Sequence, residues 1–115
     1  MKEHISSLQS LEALKDTYHS MNELNGHDLS YLAKDMICNL NYLEGVRSKI
    51  HNLWQCEVDS LVKEKNSVAR AENKAHVKYP QMYELRRKMA SYYKTLDIIR
   101  SNISYLKSEM NNLNT

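Results

Sequence analysis

The sequence predicts an all-α protein: a long antiparallel helical hairpin of coiled-coil character with an additional N-terminal helix. Three observations carry this expectation. The 115 residues include two glycines and one proline, too few for the turns that an all-β or α/β chain of this length needs. Apolar residues recur at steps of three and four over long stretches. The apolar class makes up 42% and the charged class 26%, with a mean hydropathy of −0.66, a balance suited to long amphipathic helices. The length is that of a single domain, 1–115.

The first helix is expected over 3–25, where Ile5, Leu8, Leu11, Leu14, Tyr18, Met21 and Leu24 form one stripe. Asn25-Gly26 reads as its C-cap, because glycine tolerates the left-handed backbone that ends helices. Asp28 is the expected N-cap of the next element.

A second, long helix is expected over 28–78. The segment has no proline, and Leu29, Leu32, Met36, Leu40, Leu43, Val46, Ile50 and Leu53 keep helical spacing. The stripe continues less cleanly through Val58, Leu61, Val68, Ala71 and Ala75. Gly45 is the one residue expected to weaken or kink it, by about 1 kcal/mol relative to alanine.

Lys78-Tyr79-Pro80 is the second punctuation, since proline biases the preceding residue away from helix and itself suits a first helical turn. The third helix, 80–113, carries the clearest pattern: Met82, Leu85, Met89, Tyr92, Leu96, Ile99, Ile103, Leu106, Met110 and Leu113 alternate steps of three and four. Such a run is a coiled-coil seam. The hairpin is therefore expected to turn at Pro80. Tyr31, Tyr42, Trp54, Ile98 and Tyr105 fall off the main seams as an apolar flank, which predicts association. The expected partner is a second copy of the chain, held by seam positions including Leu96, Ile99, Ile103 and Leu106.

Met1-Lys2-Glu3-His4-Ile5 lacks the apolar stretch of a secretory signal, and no run approaches 18 consecutive apolar residues, so no membrane partner is expected. Cys38 and Cys56, 18 residues apart on one expected helix, are too distant to pair. A cytoplasmic chain with reduced thiols is the expectation.

Charge is unevenly spread. Residues 1–62 hold five Lys/Arg against nine Asp/Glu, whereas 63–88 hold eight against three. Arg70, Lys74, Lys78, Arg86, Arg87 and Lys88 thus gather around Pro80, with Tyr79 and Tyr83 interleaved. Clustered cations attract the phosphates of nucleic acid, and aromatic rings among them offer stacking faces to unpaired bases. The alternative is an ordinary solvated helix face with the tyrosines packing the turn.

Catalysis, metal and cofactors find no comparable footing. His4, His19, His27, His51 and His76 are scattered without paired ligand spacing, neither cysteine has a CxxC partner, and Gly26 and Gly45 cannot build a phosphate loop. The expectation is no enzyme, no metal and no cofactor.

With these elements in place, residues 29–113 resemble the small bacteriophage recombination mediators of the UvsY type. The resemblance lies in the stretch from Ser67 to Tyr79 (SVARAENKAHVKY), in Arg86-Arg87-Lys88, and in the helix from Tyr92 to Ile103. It implies that Arg70 and Lys74, with Lys78 and Tyr79, contribute to single-stranded DNA binding and that the final helix helps form a ring. A recombinase and a single-strand-binding protein are the implied partners, and a phage-encoded chain would act in the host cytoplasm. The linker between helices is shorter than in the best-known members of that family, and the acidic first half has no counterpart there. Two other readings stay open: a small phage adaptor or inhibitor of a host or defence complex, and a structural coiled-coil component.

Overall fold

A computed structural model describes residues 3–113, and the described residues form four α-helices and no strand. These are α1 (Glu3–Ser20), α2 (Gly26–Lys63), α3 (Val68–Lys78) and α4 (Gln81–Leu113). The all-α class is as the stripes require. The boundaries differ from expectation at two points, each for a capping reason.

The first difference is at Asn25-Gly26, which opens α2 instead of closing α1. The Asp28 amide donates to Asn25 Oδ1 at 2.8 Å, and the Leu29 amide donates to the Asn25 carbonyl at 3.1 Å, so Asn25 rather than Asp28 is the N-cap. Gly26 keeps a negative φ and is an ordinary first-turn residue. α1 ends earlier, at Ser20.

The second difference is larger. The continuous helix expected over 28–78 is two helices, broken at 64–67. The Lys65 amide donates to the Val62 carbonyl at 3.0 Å and the Asn66 amide to the Leu61 carbonyl at 3.2 Å, while Lys65 takes φ +70°. These paired bonds around a left-handed residue are a Schellman motif. Asn66 Nδ2 adds a bond to the same Leu61 carbonyl at 2.8 Å. Ser67, in extended backbone, then caps α3 by accepting from the Arg70 amide at 3.3 Å. Gly45, by contrast, lies inside α2 without a break.

Packing divides the chain into two compact units. One is Glu44–Lys88; the other combines the chain up to Leu43 with the chain from Met89 onward.

In Glu44–Lys88 the chain reverses at 64–67, not at Pro80. Lys78, at the end of α3, returns to Glu57 on α2, with Nζ and Oε2 2.9 Å apart. Ala71 and Ala75, both fully buried, let α3 approach closely, and Val46, Ile50, Trp54, Val58, Met82 and Leu85 complete this core. The expectation that Trp54 belongs to an exposed flank is corrected by its burial. Pro80 separates α3 from α4 without shifting the apolar rhythm: Ala71, Ala75, Met82 and Leu85 hold steps that fit one stripe. The proline lacks an amide to donate, and the turn before it ends with the Tyr79 amide on the Ala75 carbonyl at 2.8 Å.

In the other unit Leu11, Leu29, Leu32, Met36, Leu40 and Leu43 meet Met89, Tyr92, Leu96 and Ile99 in a buried core. α1 runs parallel to α4, since Tyr92 bonds Glu12 and Asn102 bonds Tyr18. Tyr31, Ile98 and Tyr105 are exposed.

Candidate nucleic-acid interface

The division into units is also a division of charge. Glu44–Lys88 carries ten Lys/Arg against six Asp/Glu, net +4, while the rest of the chain carries six against eight, net −2. Every residue expected from sequence to face nucleic acid falls within the basic unit: Arg70, Lys74, Lys78, Tyr79, Arg86, Arg87 and Lys88.

On α3, Arg70, Lys74 and Lys78 recur every fourth residue and form one exposed row beside the buried Ala71–Ala75 face. Lys74 Nζ donates to Asn66 Oδ1 at 3.2 Å, a neutral partner that leaves its charge uncompensated. Lys78 differs. Its ammonium is held by Glu57, whose hydrogen bond first and charge second raise its pKa above the ordinary lysine value. The same Nζ lies 5.7 Å from the centroid of the Tyr79 ring. Tyr79 itself is half-buried as the C-cap of α3.

On α4, Arg86, Arg87 and Lys88 lie between buried Leu85 and Met89 and are all exposed. Three consecutive helical residues are spread by about 100° each, so these cations fan around the helix instead of forming a row. Arg86 and Arg87 share a flank with Tyr83, one turn earlier, and Lys88 lies on the other side. Tyr83, interleaved with these cations in the sequence, is the more open of the two tyrosines. It is 48% exposed, and its ring meets that of His76 edge-on at 4.5 Å. The sequence signal for it is its spacing of three and four from two arginines.

The residues expected to join copies of the chain divide differently. Leu96 and Ile99 are 2% and 0% exposed within the single chain, so the chain uses them for its own core. Ile103 and Leu106 are half-buried and line a cleft of about 720 Å³ with Leu24, His27, Ser30 and Met110.

Cys38 and Cys56 are exposed, and among the described residues no group of three or more His, Cys, Asp and Glu side chains is placed to hold a metal ion. No helix among the described residues is long and apolar enough to cross a membrane. Comparison with protein-family models, curated proteins and solved structures finds no match to this chain.

Proposed function

We propose that this chain is a non-enzymatic helical protein that binds single-stranded DNA, assembles with copies of itself and acts as a phage recombination mediator that helps load a recombinase. The observation that carries the reading is the segregation of charge, with a +4 unit built around six exposed cations and a −2 remainder. Phosphate neutralisation by such a unit supplies affinity without base identity. Tyr83 beside Arg86 and Arg87 favours an unpaired strand, whose bases can stack on an exposed ring. Association falls to Ile103, Leu106 and exposed Met110 at the end of α4, where the seam continues past its buried part. The recombinase and the single-strand-binding protein enter as partners through the resemblance to UvsY-type mediators. Titration of labelled single- and double-stranded oligonucleotides across salt concentrations tests the reading. Binding that prefers the single strand and weakens with salt supports it; absence of binding at low salt turns the reading to a protein-binding adaptor.

A further inference from the structure

We propose that Glu57 is a built-in competitor for the phosphate that Lys78 would otherwise bind, so that one ion pair between α2 and α3 tunes the affinity of the basic unit for a strand. This inference rests on the nucleic-acid reading and names what regulates that site.

Glu57 Oε2 stands 2.9 Å from Lys78 Nζ, the distance at which a phosphate oxygen would be held. A strand reaching Lys78 therefore meets an ammonium that already gives one of its three N–H donors, and part of its charge, to a carboxylate. The access is one-sided: the Lys78 side chain is 57% exposed and that of Glu57 26%, so an incoming anion meets the lysine first. Exposed ion pairs are individually weak, and this one consequently tunes binding without blocking it. The same ammonium lies 5.7 Å from the centroid of the Tyr79 ring. Lys74, one turn earlier in the same row, provides the internal contrast because its partner Asn66 is neutral.

The experiment measures anisotropy of a labelled oligothymidylate titrated with the wild type, Glu57→Gln, Lys78→Gln and the double variant over a range of salt. Glu57→Gln is expected to bind about fivefold tighter at about 0.1 M salt, with the log–log salt slope steeper by about 0.7, the value of one added single-strand phosphate. Glu57→Gln also makes the unit more positive, and the double variant isolates that general effect: on the Lys78→Gln background the gain should shrink to it, to less than half of the gain seen with Lys78 present. Lys78→Gln should cost more in the Glu57→Gln background than in the wild type, while Lys74→Gln should cost the same in both. Binding by Glu57→Gln equal to or weaker than wild type, or a gain that is undiminished by removal of Lys78, overturns the proposal and leaves the nucleic-acid reading standing. A wild type that binds no oligonucleotide overturns both. If circular dichroism shows Glu57→Gln unfolded, Glu57→Asp takes its place, with a smaller gain of the same sign expected and no gain contradicting the proposal.

Discussion

The Tyr92 hydroxyl on α4 donates to Glu12 Oε2 on α1 at 2.7 Å, and this bond fastens a helix in which, among the described residues, Leu11 is the one buried hydrophobic side chain. Lys15 donates to Ser91 one turn along, at 3.3 Å. α1 is thus held to α4 by polar interactions as much as by apolar burial.

Alkali should loosen this attachment. Burial first, then the hydrogen bond and charge of Glu12, push Tyr92 up to about 12 from an ordinary 10.0. The folded chain holds this proton more tightly than the unfolded one, so the contribution is complete below about pH 10 and lost as pH rises through about 12. Tyr92→Phe should cost about 1 kcal/mol near neutrality. Urea midpoints of the two proteins should converge as pH rises from the neutral range towards the raised Tyr92 pKa, and a constant gap would contradict the account.

The turn at 64–67 makes a second prediction. Lys65 holds a left-handed backbone that glycine adopts freely, so Lys65→Gly should stabilise the chain by about 0.5–1 kcal/mol. Ser67→Ala should cost about 1 kcal/mol by removing the α3 cap. Denaturant unfolding checks both signs, and a destabilising Lys65→Gly would mean that the left-handed position is not strained.

Gly45 offers a third. It lies mid-helix and exposed, and an added Cβ meets nothing within 4 Å. Gly45→Ala should raise stability by about 1 kcal/mol, read as a higher thermal midpoint. An unchanged or lower midpoint would place a role at Gly45 that helix propensity does not describe.

The α4 seam separates folding from association. Ile99→Ala empties a fully buried site and should cost the fold of the single chain about 2–5 kcal/mol. Ile103→Asp and Leu106→Asp, at half-buried positions, should keep more of the helical signal while lowering the mass found by light scattering. Equal loss of helix in all three would assign Ile103 and Leu106 to the folding core instead.

Much of this architecture is legible in the residues. The alternating stripe from Met82 to Ile99 specifies a buried helix face because each apolar step matches the helical repeat. The break at 64–67 is hidden for an equally physical reason. Its left-handed residue is a lysine, and the signal lies in the polar pair Asn66-Ser67, which caps two helices at once. Without that turn, Pro80 is the one conspicuous place for the chain to reverse. Clustered cations mark the candidate site in the sequence, but Glu57 meets Lys78 only because the chain folds back over 21 residues. Tyr79 and Tyr83 look alike along the chain, and burial is what separates them.

The most direct test of the central claim is the salt dependence of single-strand binding by the wild type and by an Arg86→Gln/Arg87→Gln/Lys88→Gln variant. These exposed positions bear on charge and leave the core intact, as circular dichroism should verify. The account predicts that the wild type binds a labelled oligothymidylate and that the variant, still folded, binds more weakly. Its log–log salt slope should be shallower by up to about 2, at roughly 0.7 for each phosphate no longer neutralised. A folded variant with the wild-type affinity and slope would contradict it.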